Sequence, residues 1–259
     1  MLRRLPLHPG ETTAEPIDPD DVAALIAAEA RPAPPHRPWV AVNMVTSADG
    51  ATTTSAGVSG DLGSDTDMAV FGALRSIADV VLAGSGTVTA ERYRPPKAGP
   101  ARRDQRIARG QAPLPRLAVV SNRGDVDLDL PLFSEATPES RPIVLVATNA
   151  VDDERRHRLD QVAEVIDAGD SLVDPAIAVR LLGDRTGASV VVCEGGPTLN
   201  GLLLAGDLID EWCLTIGPIL AGGESHRGSH GPTLAEPLTL DLARAWQHDG
   251  ELLLRYVRH

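Results

Sequence analysis

From Trp39 onward, short β-branched and apolar runs alternate with stretches of helical periodicity, and this alternation restricts the fold more than any other feature. The strand-like runs cover 39–45, 80–83, 117–120, 143–147, 162–166 and 190–193. Helices of about 8 to 12 residues separate them, read from apolar spacing and end signals. Ser64 caps one in which Met68, Phe71, Leu74 and Ile77 recur at helical intervals. Asp174 with Pro175 opens another, and Pro197 opens a third that Gly206 ends. Strands joined by crossover helices predict a mostly parallel central sheet with helices on both faces. The chain ends differently: 211–220 reads as a strand, and two further strand patterns flank Asp249-Gly250, a tight-hairpin signal. The expected class is α/β with a C-terminal antiparallel hairpin.

Eight of the 21 prolines fall in residues 1–38. They read as an arm that cannot join a sheet, interrupted by one helix from Asp18-Pro19 to near Ala30. Residues 39–259 form the domain. A net charge of −12 argues against nucleic acid as a partner, because phosphates reward a basic face. Two cysteines build neither a disulfide framework nor a multi-cysteine metal site. No apolar run approaches the roughly 18 residues of a membrane span. The first residues lack the apolar core of a signal peptide, so no membrane association and a cytoplasmic location are expected. His226 and His230 lie in a loop where no helix aligns them, so no metal is expected. Cys193, Trp212, Trp246, Met44 and Met68 read as packing residues.

Three segments carry chemistry. In VVLAGSGTV, a buried strand runs into Gly84-Ser85-Gly86-Thr87 and then a helix. Glycines there let the backbone approach a phosphate at a helix N-terminus, although the same residues also suit an ordinary βα turn. SVVVCEGGPTLNG repeats the device, with Gly195-Gly196 before Pro197, Thr198 and Leu199. Two such turns at one sheet edge would make a nucleotide-binding crevice, with Glu194 beside it either as a substrate contact or as a solvated carboxylate. Third, Ser47-Ala48-Asp49-Gly50 begins a long Gly/Ser/Thr loop, either a cover over a substrate or a surface hairpin with Asp49 in an Asx-turn.

In order along 39–257, VNMVTSADG, ADVVLAGSGTV, LAVVSNR, VVVCEGGPTLNGLLL, WCLTIGPILAGG and LLLRYVR resemble the reductase domain of riboflavin biosynthesis. That domain occurs as the C-terminal half of bifunctional pyrimidine deaminase-reductases and as stand-alone proteins. The resemblance implies a dihydrofolate-reductase-like fold, NADPH as cofactor and a homodimer. It also implies hydride transfer to the ribose-derived carbon of a 5-amino-6-(5-phosphoribosylamino)uracil-type substrate. Carried onto this chain, it assigns Val45, Thr87, Asn122 and the segment from Gly196, Pro197, Thr198 and Leu199 to Leu202 to the cofactor, joining Gly84, Gly86 and Gly195 of the glycine turns and Arg123, a candidate from the charge pattern. Ser59, Arg75 and Glu194 fall to the substrate, Arg75 being suited to its phosphate. Asp49 and Glu194 are the candidates for orienting or protonating groups. The stretch 89–95 departs from the family's two acids and a proline, and the chain has no H-x-E followed by P-C-x-x-C, so zinc deamination is not expected. A shifted substrate such as a dihydropterin, and a non-catalytic NADP-binding module, are the alternatives. Residues 91–116 carry a local +6, leaving −18 on the rest, and this segment and Arg123 are expected to steer or clamp phosphates.

Overall fold

The computed structural model describes residues 2–7, 15–18, 21–55 and 57–259. Its strands are β1 (Arg3–Arg4), β2 (Glu15–Pro16), β3 (Trp39–Ser47), β4 (Val80–Gly84), β5 (Arg116–Val120), β6 (Ile143–Val146), β7 (Glu164–Asp167), β8 (Val190–Cys193), β9 (Glu211–Gly217), β10 (Leu240–His248) and β11 (Glu251–Arg258). Its α-helices are α1 (Val22–Ala28), α2 (Asp65–Ile77), α3 (Ser85–Ala90), α4 (Pro100–Ala108), α5 (Pro131–Ser134), α6 (Asp153–Val162), α7 (Pro175–Thr186) and α8 (Pro197–Ala205). One sheet runs in the order β2-β1-β10-β11-β9-β3-β8-β4-β5-β6-β7. Strands β9 to β7 in that order are parallel, and the β11, β10, β1 and β2 side is antiparallel. The expected α/β class is borne out.

Alternation along the central strands divides the core between two faces. Val40, Val42, Val80 and Leu82 pack with Val179, Leu182, Leu199 and Leu203 of α7 and α8. Ala41, Val81 and Ala83 pack with Val70, Leu74 and Ile77 of α2 on the other side. Local signals set the helix ends: Ser64 accepts from the Thr66 amide, Asp174 from those of Ala176 and Ile177, and Gly187 ends α7 at φ 69°. Asp249 and Gly250 both take positive φ, as the two-residue hairpin requires.

The N-terminal arm corrects one expectation. It does join the sheet: Arg3 and Arg4 pair with Gln247 and Trp246, and Glu15 and Pro16 pair outside them. Proline is tolerated there because β2 is the outermost strand and one of its edges needs no partner. Helix α1 begins after Asp21 and stops at Ala28; Pro19 and Asp20, part of the expected start, lie outside the described residues. Beyond α1, Arg31 fastens the arm to β9 through Glu211, which also accepts from Trp39 and Arg255.

Candidate active site

The carboxyl ends of β3, β8, β4 and β5 lie side by side, and the two glycine turns meet there. The Gly84 amide donates to the Gly195 carbonyl at 2.7 Å. A Cβ on Gly84 would stand 3.5 Å from the Gly196 nitrogen, and one on Gly196 only 2.8 Å from Thr87 Oγ1. Gly195 sits at φ 83°, a conformation glycine reaches without a Cβ clash. Helices α3 and α8 start from Gly84 and Gly196 with no side-chain cap, so no side chain takes up their first amides.

Around this joint is a cavity of about 380 Å³, within the range of small-ligand sites. Gly84, Gly86, Thr87 and Asn122 line it from the β4 and β5 side, and Gly196, Pro197, Thr198 and Leu199 from the β8 side. Val179 and Leu203 give it an apolar wall. Asn122 Oδ1 accepts from the Val173 amide at 2.8 Å, tying the end of β5 to the loop before α7. Backbone amides at glycine turns beside an apolar wall suit a ligand with phosphates and a flat base. The sequence-predicted cofactor residues therefore converge, with three qualifications. Gly195 underlies the cavity as the turn residue, Val45 lines the adjoining cleft, and Arg123 is exposed outside both linings.

A second cleft, about 820 Å³, shares Gly86, Thr87, Gly196 and Pro197 with the first, so the two are continuous. Buried Glu194 stands on its wall. Arg75 Nε and Nη2 each donate to it at 2.7 Å, and the Tyr93 hydroxyl donates at 2.6 Å. The Arg75 guanidinium lies 4.3 Å from the Phe71 ring centroid and 5.3 Å from that of Tyr93. Burial works against the Arg75 charge, but hydrogen bonding and attraction to Glu194 outweigh it and raise its pKa. Burial and then the Glu194 charge push the Tyr93 hydroxyl well above its ordinary value. Ser59, in the loop after β3, donates through both its amide and its hydroxyl to Glu91 Oε1 at 2.9 Å. That loop lines the cleft through Thr52, Thr53, Ser59 and Gly60, as a substrate cover would.

Asp49 corrects the sequence expectation of an orienting or protonating group. It is exposed and lines neither space; its carboxylate accepts from the Ser47 hydroxyl and from the Ala221 and Gly222 amides. Those bonds hold its pKa at about 2. It is an ionised tie between the turn after β3 and the loop after β9, adjacent because β3 and β9 pair. Met44 both packs against the core and lines the larger cleft, as expected of a packing residue, whereas Met68 lines the cleft and is 57% exposed. His226 and His230 do approach, with ring centroids 4.9 Å apart, because His230 is tied to Pro197 and His226 to Thr52. Cys193 is buried as expected, and burial pushes its thiol up to about 12.

The basic segment lies on the larger cleft and away from the smaller cavity. None of its residues lines the smaller cavity. Arg94, Arg103 and Arg116 pair with Glu135, Glu139 and Glu164, while Arg106 and Arg109 bind backbone carbonyls of the α2 end. Arg92, Arg94 and Lys97 line the larger cleft, so any phosphate the segment meets there belongs to the substrate side. Sequence reasoning missed Tyr93, Glu91 and Asp67, all on that cleft. It did register Met68 and Phe71 on one stripe, and Arg75 follows Phe71 at i+4; the stripe faces the cleft along one edge and the core along the other.

Residues 38–254 match the RibD C-terminal domain family. The chain belongs to that family. This RibD C-terminal domain protein, of the riboflavin-biosynthesis reductase class, resembles two curated archaeal proteins named 2,5-diamino-6-ribosylamino-4(3H)-pyrimidinone 5′-phosphate reductase. The one from Archaeoglobus fulgidus is 30% identical over 187 residues, 72% of this chain and 83% of that protein. The one from Methanothermobacter thermautotrophicus is 28% identical over 225 residues, 85% of this chain and 98% of that protein. Among solved structures, a pyrimidine reductase-like protein from Corynebacterium diphtheriae superposes with a TM-score of 0.77 at 30% identity, covering 85% of this chain and 91% of that one.

Proposed function

We propose that this RibD C-terminal domain protein is an NADPH-dependent oxidoreductase that opens the sugar of a 5′-phosphorylated ribosylamino-pyrimidine to a ribityl chain. Its substrate is of the 5-amino-6-(5-phosphoribosylamino)uracil type or the 2,5-diamino-pyrimidinone named in the archaeal relatives. The observation that carries the reading is the continuity of the glycine-lined cavity with the larger cleft, with the Arg75–Glu194 pair on the wall of that cleft.

The joined turns at Gly84–Thr87 and Gly195–Leu199 would hold the cofactor phosphates, with Asn122 and Arg123 toward the adenosine end and Val45 beside the nicotinamide half. When bound, the dihydronicotinamide supplies the hydride. The protein orients the substrate and excludes water. Ser59 and Glu194 would meet the substrate, and Arg75, whose Nε and Nη2 donate to Glu194, would offer its Nη1 to the substrate phosphate. Among the described residues no helix is long and apolar enough to cross a membrane; we place the enzyme in the cytoplasm as a homodimer. NADPH absorbance should fall when either pyrimidine phosphate is added and stay constant with dihydrofolate. NADPH binding without turnover on either pyrimidine would refute the reading in favour of a binding module.

A further inference from the structure

Reduction of this kind consumes a proton as well as a hydride, and the carboxyl groups along the larger cleft are unequally able to supply one. Glu194 accepts from Arg75 and Tyr93, and Glu91 accepts twice from Ser59. Asp67 stands apart. It occupies the first turn of α2, 9% exposed, on the cleft wall beside Met68 and Phe71. The Thr215 hydroxyl is its hydrogen-bond partner, and the charged group facing it is Glu251 of β11, itself buried and bonded by Ser64. No Lys, Arg or His is among the groups acting on it. Burial raises its pKa, the Thr215 bond pulls it back, and the neighbouring Glu251 raises it again; the net direction is upward despite the favourable helix N-terminus.

Position agrees with this chemistry. Thr215 is the strand partner of Val45, and paired residues point to the same face, so Asp67 adjoins the place assigned to the nicotinamide half. A Cβ on Gly63 would stand 2.4 Å from Asp67 Oδ2, so the loop before α2 admits the carboxyl only because residue 63 is glycine.

We propose that Asp67 is the general acid of the reduction, an assignment that rests on the reductase reading above. Hydride from the dihydronicotinamide adds to the sugar carbon of the ring-opened C=N, the π pair moves to nitrogen, and that nitrogen takes the Asp67 proton. Oxidised nicotinamide and the ribitylamine result, and solvent reprotonates Asp67.

The test pairs infrared spectroscopy with kinetics on Asp67→Asn. The wild type should show a protonated-carboxyl band, absent from the variant, that persists to higher pH than that of an ordinary aspartate. Its rate should fall as pH rises through the Asp67 pKa, because only the protonated form donates, and the variant should lose that limb. A positioned general acid contributes about a hundredfold or more, so kcat should drop by that factor while NADPH affinity, which also reports folding, stays within about twofold. Gly63→Ala, which displaces the carboxyl but keeps it, should depress kcat and shift the same limb. Absence of the band, or an Asp67→Asn kcat within about threefold of wild type, overturns the proposal alone. A wild type that shows the band but oxidises no NADPH with the pyrimidine phosphate overturns the reductase reading and this step with it.

Discussion

Gly196→Ala probes the joint between the two glycine turns. The new methyl would lie 2.8 Å from Thr87 Oγ1, where ordinary contact begins at 3.4 Å. Thr87 must therefore retreat by about 0.6 Å, and overpacking of that kind costs about 1–3 kcal/mol. Thr87 and Gly196 both line the cavity, so the displacement falls on the cofactor: at about 1.4 kcal/mol per tenfold, NADPH affinity should weaken about 5- to 150-fold. Fluorescence titration measures this directly, with the melting temperature reporting any general destabilisation. Combining the change with Thr87→Ala removes the colliding oxygen, so the double variant should bind NADPH better than the sum of single effects requires. Equal additivity, or a Gly196→Ala affinity within about twofold of wild type, would refute the placement of the cofactor at this joint.

Tyr93→Phe keeps the ring against Arg75 but removes a donor to buried Glu194; a hydrogen bond to a charged group is worth about 1.5–3 kcal/mol, so substrate KM should rise roughly tenfold with NADPH affinity unchanged. An unchanged KM would detach Tyr93 from substrate recognition. Asp49→Asn should leave kcat within about twofold, since a residue outside the cleft supplies no transition-state contact, while amide exchange at Ala221 and Gly222 accelerates. Burial would raise the Glu211 pKa, but Arg31 and Arg255 hold it down to about 2 from 4.5. A depressed carboxylate stabilises the fold above its ordinary pKa and loses that contribution as pH falls toward the folded value. The melting temperature should therefore decline between pH 4.5 and 2 more steeply in wild type than in Glu211→Gln, and parallel curves would contradict the arm-anchoring role.

Strand and helix order was readable because apolar periodicity and end signals agree at each element, as at Ser64, Asp174 and Asp249-Gly250. The meeting of the glycine turns was readable too, since two strand–glycine–helix units in one parallel sheet must end on the same edge. Less visible were contacts made by residues with two plausible uses. Asp49 suits a turn as well as catalysis, and only the approach of the 221–222 amides decides between them. The arm's prolines masked two short pairings, one free of proline and the other made by the outermost strand, where proline is tolerated. Charge counting found the excess at 91–116, but five of its eight cations are committed to neighbouring carboxylates and carbonyls, which no local count registers. Tyr93 and Asp67 acquire meaning only from Glu194, Thr215 and Glu251, distant in sequence and brought near by the sheet.

Isotope transfer tests the central claim most directly. The enzyme would be incubated with NADPH deuterated at the transferable nicotinamide position and the phosphorylated ribosylamino-pyrimidine, and the product examined by mass spectrometry and NMR. The account predicts one deuterium on the ribose-derived carbon attached to nitrogen for each NADPH oxidised. NADPH bound in the glycine-lined cavity with no deuterium reaching that carbon would contradict it.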